Sequence, residues 1–418
     1  MKILLIGEYS NVHATLAEGL RDLGHDVTVV SDGDGWKDYP RDIDLRRHSL
    51  SATGTIRYLF DLARRWPTLR GYDIVQLINP VFISLRAERI WPFYRFLRRH
   101  NGRVFLGAFG IDYFWVKGGL EDRLFRYSDF NLGDERRHYP FLDIMVRDWL
   151  HGPKGDLNRR IADDADGIIT GLYEYEVCYR PHYPEKTRFI PFPINRANVT
   201  PTIRPEQPTP SPSLEGGKRV KNEESRFARN EESESPSSLD SKSHSSLFTL
   251  HSSFNGTAVS PLRCFIGIQR SRSAYKGTDI MLRALERLQA DFGPERIQIV
   301  RAESVPFAQY QEMMNSSHVL LDQLYSYTPA MNALLAMAKG LIVVGGGEEE
   351  QYELLGEHEL IPIVNVQPNE EDVYHQIARR LLSGREDIHQ LQMDSIEYIR
   401  RHHDHLSVAR RYEAFYQQ

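Results

Sequence analysis

The chain has 418 residues, of which 41% are hydrophobic and 26% are charged. These fractions are typical of globular proteins and exclude a fibrous or wholly disordered chain. The formal net charge of −5 gives no basic excess, so we expect no nucleic-acid partner. Cys178 and Cys264 are too few and too far apart for a disulfide framework or a structural zinc site, which indicates a cytoplasmic protein. The sequence contains no apolar run of about 18 residues, so no membrane-spanning helix is predicted.

The first part of the chain alternates strands and helices. Lys2–Ile6 is a short apolar run, a helical pattern follows it, and Asp26–Val30 is rich in β-branched residues. Further apolar runs separated by helix-compatible sequence lie at 72–78, 103–107, 167–170 and 187–191. Residues 1–198 are therefore predicted to form a Rossmann-like domain with a doubly wound parallel sheet.

Residues 199–260 differ sharply from the rest. Between Pro201 and Ser260 there are 14 serines and 6 prolines, with few large apolar side chains. Such a segment cannot bury enough apolar surface to offset its ordering entropy. We predict a disordered Ser/Pro-rich insertion between two domains.

The alternation restarts after the insertion. Apolar runs at 264–268, 297–300, 318–321, 341–344 and 361–364 are separated by helices predicted near 279–292 and 329–339. The fold class is α/β, with a second Rossmann-like doubly wound domain over 261–400 facing the first across a cleft. The tail 401–418 is predicted as a helix that packs back on the N-terminal domain, because Val408, Tyr412, Phe415 and Tyr416 form an apolar stripe.

The loop after the first strand of the second domain is the strongest candidate site. It carries Arg270, Arg272 and Lys276 beside Gly277, directly before a helix. Cationic side chains, backbone N–H groups and the helix dipole all favour an anion such as a diphosphate. The alternative is a solvated surface loop.

A second anion site is predicted before the helix that ends near 339. Thr328 suits the N-cap position and Pro329 the first helical position, so free N–H groups would point into the cleft. An ordinary helix cap is the alternative explanation.

Several motifs together resemble the GT-B glycosyltransferases of the group 1, family 4-like type. They are Gly24–Val29, Thr187–Asn195, Lys276-Gly277, Leu335–Gly340 and the glycine-rich turn Gly345–Glu350. The resemblance implies a retaining transfer from a nucleotide diphosphate sugar, without metal or resident cofactor, to a saccharide or lipid-linked acceptor of envelope polysaccharide synthesis. It also implies that the loop cations neutralise the donor diphosphate.

The family's two glutamates, eight positions apart, are replaced here. Alignment on Ala336-Met-Ala338 puts Tyr327 and Leu335 at their positions. Tyr327 and Asn332 are therefore the candidate sugar and ribose contacts, because both can form hydrogen bonds and Leu335 cannot. Glu348 and Glu350 are further candidates for the donor sugar, and a merely solvated acidic turn is the alternative.

Polar residues at strand ends of the first domain are candidates for the acceptor side. Glu8, Ser10 and His13 follow the first strand, and Asp112 follows the strand near 103–107. A carboxylate or imidazole there is placed to act on an acceptor hydroxyl. His13 and Asp112 are the predicted catalytic residues, and a surface position is the alternative for His13.

The segment 57–103 is strongly basic. It holds ten arginines against three acidic residues, and the aromatic residues Trp66, Trp91, Phe93, Tyr94 and Phe96 lie among them. Such a surface is suited to an anionic bilayer, which predicts a peripheral protein on the inner face of the cell membrane. The alternative is that the aromatic side chains belong to the core and the arginines are simply solvated.

The leading functional interpretation is a nucleotide-sugar-dependent glycosyltransferase. A nucleotide-sugar epimerase is a second possibility, and a catalytically silent nucleotide-sugar-binding protein is a third, suggested by the missing glutamates.

Overall fold

A computed structural model describes residues 1–202, 261–384 and 387–418. Disorder was predicted for the insertion, and its residues 203–260 lie outside the described part. In the described part, no helix has both the length and the apolar character that a membrane crossing requires.

The first domain is built on a parallel sheet of seven strands in the order β3-β2-β1-β4-β5-β8-β9, accompanied by a small antiparallel hairpin of β6 and β7. The strands in chain order are β1 (Lys2–Ile6), β2 (Asp26–Ser31), β3 (Ile43–Asp44), β4 (Ile74–Leu77), β5 (Arg103–Ala108), β6 (Asn131–Leu132), β7 (Glu135–Arg136), β8 (Gly167–Thr170) and β9 (Thr187–Phe189). The helices are α1 (Val12–Asp22), α2 (Ala52–Arg65), α3 (Ala87–His100), α4 (Tyr113–Leu120), α5 (Pro140–Met145), α6 (Pro153–Asp164) and α7 (Tyr173–Tyr179). The strand order reverses between β1 and β4, where doubly wound sheets bind ligands.

The second domain contains a parallel sheet of five strands in the order β11-β10-β12-β13-β14. These strands are β10 (Leu262–Ile268), β11 (Ile297–Glu303), β12 (Val319–Leu321), β13 (Ile342–Gly345) and β14 (Val364–Asn365). The helices are α8 (Ser273–Lys276), α9 (Thr278–Phe292), α10 (Phe307–Asn315), α11 (Met331–Ala338), α12 (Glu349–Leu355), α13 (Glu370–Ile377), α14 (Ile388–His402) and α15 (His405–Gln417). The reversal here lies between β10 and β12. The predicted α/β class with two Rossmann-like sheets is confirmed.

The central strands are largely apolar because helices cover both faces of each sheet. Ile3, Leu4, Leu5 and Ile6 of β1 are completely buried, and β13 is buried throughout. This explains why short continuous apolar runs, and not alternating patterns, marked the strands in the sequence.

The last helix returns to the first domain. Asp404 caps α15 by accepting the backbone N–H of Ser407 at 3.1 Å, and the helix then packs on α1. Gly19 allows the close approach, because a Cβ there would lie 2.7 Å from the carbonyl oxygen of His405. Further along, the Tyr416 hydroxyl donates to the side-chain carbonyl of Gln76 in β4. The chain therefore passes between the domains twice, once before and once after the second domain in sequence.

Candidate functional site

The loop after β10 and the segment after β12 meet at the strand-order reversal of the second sheet. Gly277 precedes α9 with a φ of +73°, and a Cβ there would lie 2.9 Å from the Cβ of Leu324. The backbone N–H of Leu324 donates to the carbonyl of Lys276 at 2.9 Å. This contact brings Lys276 and Gly277 next to the residues around Thr328, as two elements of one site would require.

The three loop cations point in different directions. Arg270 is largely exposed and forms an ion pair with Glu303 at the end of β11, so it does not face the first domain. Arg272 does face it, with its guanidinium 5.9 Å from the centre of the Phe141 ring. Lys276 lies near Asp129 of the first domain; burial raises the pKa of that carboxyl to about 7, while Arg137 and Lys276 act to lower it.

The predicted cap at Thr328 is wrong. α11 begins at Met331 with Ala330 in the N-cap position, and Pro329 lies outside the helix. The helix thus begins two residues after Pro329, and Thr328, whose hydroxyl bonds to a side chain outside the helix, does not cap it. The N–H groups of Tyr327 and Thr328 point instead at a carboxylate from the other domain.

That carboxylate belongs to Glu174, at the start of α7. Its Oε1 accepts the backbone N–H groups of Tyr327 at 2.8 Å and Thr328 at 3.2 Å, and lies 2.7 Å from the Ser326 hydroxyl. The Thr328 hydroxyl donates to Oε2. We call the polar groups of Ser326, Tyr327 and Thr328 the anion cradle. Sequence reasoning missed Glu174, which is separated from the cradle by about 150 positions and carries no motif.

A second interdomain contact surrounds Tyr327. Its hydroxyl accepts the backbone N–H of Arg126 at 2.7 Å, and the Arg126 guanidinium lies 4.9 Å from the ring centre. The same guanidinium bonds to Glu348 at 2.8 Å and forms an ion pair with Glu350. Tyr127 donates its hydroxyl proton to Glu348. Three predicted donor-sugar residues, Tyr327, Glu348 and Glu350, are thus brought together around groups of the first domain.

Asn332 lies on the other side of the second domain's site. Its amide nitrogen donates to Asp322 at 3.1 Å, and its carbonyl accepts the Tyr310 hydroxyl at 3.2 Å. Asp322 follows β12 directly and was not predicted, although its position at a strand end is the signal that marked other candidates. The group offers hydroxyl, amide and carboxylate functions of the kind that hold a ribose.

On the first domain, the end of β1 encloses buried polar groups. Glu8 accepts the backbone N–H of Ala14 at 2.9 Å, and burial raises its pKa to about 7. His13 is fully buried, with Nδ1 2.8 Å from the Gly7 carbonyl and Nε2 3.1 Å from the Gln76 amide nitrogen. Burial lowers its pKa to about 3, so the imidazole is neutral. The surface alternative for His13 is wrong.

Asp112 is also fully buried. It caps α4 by accepting the backbone N–H of Trp115 at 2.9 Å, and it accepts the Tyr179 hydroxyl at 2.8 Å. Burial raises its pKa to about 7. The prediction placed this carboxylate where it can act on an acceptor hydroxyl, whereas here it is buried under partners of its own domain. A cavity of about 190 Å³ opens instead beside Glu8, with Ser31 and Tyr58 in its wall.

The aromatic residues of 57–103 belong mainly to the core. Trp66 and Tyr94 are buried, and Trp91 stacks on Tyr94 with ring centres 5.1 Å apart. Arg98 is held by Asp166 at 2.9 Å. The large apolar side chains that are exposed at the start of this region and just before it are Phe60, Ile56 and Leu50, on and just before α2.

In the residues that the structure describes, no three His, Cys, Asp or Glu side chains are grouped in a way that would hold a metal ion. Arg272, Lys276 and the anion cradle are groups of the kind that bind a diphosphate.

No protein-family model and no curated protein matches the chain. Solved structures do. A sucrose-phosphate synthase from Thermosynechococcus elongatus has a TM-score of 0.55 at 12% identity, covering 100% of this chain and 99% of its own. Anabaena HepE in complex with UDP-glucose has a TM-score of 0.53 at 12% identity, covering 100% of both chains. A proposed UDP-N-acetylglucosamine 2-epimerase from Listeria monocytogenes has a TM-score of 0.51 at 12% identity, covering 99% of this chain and 95% of its own. The chain therefore has the GT-B fold, two Rossmann-like domains in the arrangement found in these proteins.

Proposed function

We propose that the protein is a glycosyltransferase that moves a sugar from a nucleotide diphosphate donor to a saccharide or lipid-linked acceptor. The observation that carries the proposal is the anion cradle beside the Lys276–Gly277 loop. Backbone and hydroxyl donors converge there on one negatively charged group, at the strand-order reversal of the second sheet. The fold shared with HepE, which was solved with UDP-glucose, is consistent with this use of the site.

On this proposal the donor diphosphate lies between the anion cradle and the loop. Arg272, Lys276 and Gly277 bind it together with Thr328, and Arg270 adds long-range charge from the far side of the loop. Fixed cations and N–H groups balance the charge of the leaving diphosphate, which would make the reaction independent of a metal ion. Transfer with retention of configuration is part of the same proposal.

The sugar and ribose of the donor lie on either side of the diphosphate. Asn332, with Asp322 and Tyr310 beside it, binds the ribose, and Tyr327, Glu348 and Glu350 bind the sugar once Arg126 has moved away. The acceptor enters the cavity beside Glu8. For the two predicted catalytic residues we propose a positioning role: Asp112 caps α4, and His13 at the start of α1 bonds to the Gly7 carbonyl after β1.

An anionic bilayer is the second proposed partner. Ile56 and Phe60 are 68% and 67% exposed on α2, one helical turn apart, and Leu50 just before the helix is 84% exposed. Arg57 and Arg64 are exposed on the same helix. Apolar side chains flanked by arginines suit the interface of an anionic membrane, where a lipid-linked acceptor would be found.

One experiment separates the three functional interpretations. The purified protein is first tested by thermal shift with UDP, ADP and GDP, because a ligand that binds only the native state raises the apparent stability. It is then incubated with the matching radiolabelled nucleotide sugars and a membrane extract. Label in a lipid or saccharide product supports transfer, an epimerised free nucleotide sugar supports the epimerase, and binding without turnover supports the silent protein.

A further inference from the structure

The carboxylate of Glu174 takes up the hydrogen-bonding capacity of the anion cradle. The backbone N–H groups of Tyr327 and Thr328 each have one proton, and both are directed at Oε1. The Thr328 hydroxyl proton is directed at Oε2. Glu174 is only 7% exposed, so no solvent layer separates it from the cradle.

We infer that Glu174 is an internal competitor for the donor diphosphate, and that its carboxylate must leave the anion cradle before a phosphate group can bind there. The inference rests on the proposed function, and it concerns how that site is regulated. A phosphate in the cradle needs the same N–H and hydroxyl protons that are directed at Glu174. A phosphate next to a carboxylate that remained in place would also be repelled by its charge.

Glu174 is attached to a helix that is firmly held in the first domain, so separation of the domains would withdraw it from the cradle together with α7. Glu176, two residues further along α7, accepts the Thr170 hydroxyl at 2.5 Å, and this bond ties α7 to β8. Glu176 also pairs with Arg180. A Cβ on Gly118 of α4 would lie 2.4 Å from the Cys178 sulfur, so α7 also packs tightly against α4.

The contacts of Arg126 form a second part of the same closure. Arg126 pairs with Glu348 and Glu350, and its backbone N–H is bound to the Tyr327 hydroxyl. These contacts cover the proposed sugar site while Glu174 covers the proposed phosphate site. The structure is therefore a closed state, in which Glu174 occupies the proposed phosphate site and Arg126 occupies the proposed sugar site. Donor binding is coupled to separation of the domains.

The test uses the full-length protein and the best bound of UDP, ADP and GDP. If the site is free only in a minor open population, the apparent Kd equals the intrinsic Kd divided by the fraction of molecules in that open state. Glu174→Ala is therefore expected to lower the Kd at least about 5-fold in calorimetry. Glu174→Gln should lower it less, because its carbonyl still accepts the cradle N–H groups. Glu176→Gln is the matched control: it alters a buried glutamate on the same helix that touches only its own domain, and should leave the Kd unchanged.

Hydrogen exchange of the wild-type protein provides a readout that does not depend on a variant folding. Adding the nucleotide should keep the Tyr327 and Thr328 amides protected, because phosphate replaces Glu174. It should expose the Arg126 amide, because the domains separate.

Three results would each overturn a part of this inference. An equal or higher Kd in Glu174→Ala, with normal nucleotide binding by the wild type, removes the competition and leaves the donor site standing. An Arg126 amide that stays protected when nucleotide binds removes the coupling to domain separation. Failure of every nucleotide to bind wild type and Glu174→Ala alike removes the donor site and the competition together.

Discussion

Arg137 of the first domain donates a hydrogen bond from Nη2 to the carbonyl oxygen of Ala274 in the second, at 2.6 Å. Its guanidinium also lies 3.2 Å from the centre of the Tyr325 ring. Ala274 belongs to the loop that carries Arg272 and Lys276. One arginine of the first domain therefore contacts both chain segments proposed to hold the diphosphate.

Arg137→Ala should lower the free energy of unfolding by about 2 kcal/mol, the scale of a charged hydrogen bond together with a desolvated cation–π contact. Urea denaturation measures it. The matched control is Arg136→Ala. Arg136 is exposed, and its ion pair with Asp143 is long, at 3.9 Å. Its loss should therefore change the free energy of unfolding by less than about 0.5 kcal/mol. Equal effects of the two variants would show that the contacts of Arg137 contribute no stability.

Lys276→Ala should weaken nucleoside diphosphate binding by about 1 to 2 kcal/mol, which is a roughly tenfold increase in Kd. The reason is the loss of a charge-assisted hydrogen bond to phosphate. Calorimetry measures the effect. Arg270→Ala is the control, since that side chain is 84% exposed and paired with Glu303, and its variant should bind almost as the wild type does. An unchanged Kd for Lys276→Ala would remove Lys276 from the site.

Asp112→Asn should alter how stability depends on pH. Burial raises the folded-state pKa of Asp112 from 3.8 to about 7, so the folded protein binds this proton more tightly than the unfolded chain. The resulting stability is fully present below the unfolded pKa and is lost as the pH rises through about 7. Asparagine cannot lose a proton, so the variant escapes this loss.

The measurement for Asp112 is the free energy of unfolding of variant minus wild type at pH 5 and pH 8. We expect this difference to rise by about 2 to 3 kcal/mol over that range, because one pKa unit corresponds to ~1.4 kcal/mol. Subtraction cancels the other titrating groups. Asp143→Asn, an exposed carboxylate, serves as the control with no such rise. A constant difference for Asp112→Asn would mean that Asp112 is ionised in both states.

The double variant Ile56→Ser, Phe60→Ser should reduce co-sedimentation with vesicles that contain phosphatidylglycerol, because it removes the exposed apolar side chains of α2. The control is Ile361→Ser, which removes a 49% exposed apolar side chain from the second domain. Co-sedimentation that the double variant leaves unchanged would exclude α2 as the contact surface.

The sheets could be predicted from the sequence, whereas much of the site could not. β1 and β13 are buried on both faces, so their apolar runs were visible as strands without any tertiary information. The helix start at Pro329 was predicted from local cap chemistry, but the groups around Thr328 are arranged about Glu174. Contacts such as Glu174 with Thr328 and Arg126 with Glu348 depend on how two distant segments meet, and no local pattern reports them.

The return of α15 to α1 makes the first domain discontinuous along the chain. A fragment ending near residue 198 would leave the surface of α1 around Gly19 uncovered and would lose the Tyr416 hydroxyl bond to Gln76. The second domain is connected to the first by two chain segments, one near Asn195 and one near His403. A rotation of one domain relative to the other would therefore have to bend both segments together. The Ile194 N–H donates to the His403 carbonyl at 2.7 Å, so the two connecting segments lie side by side and form a single hinge.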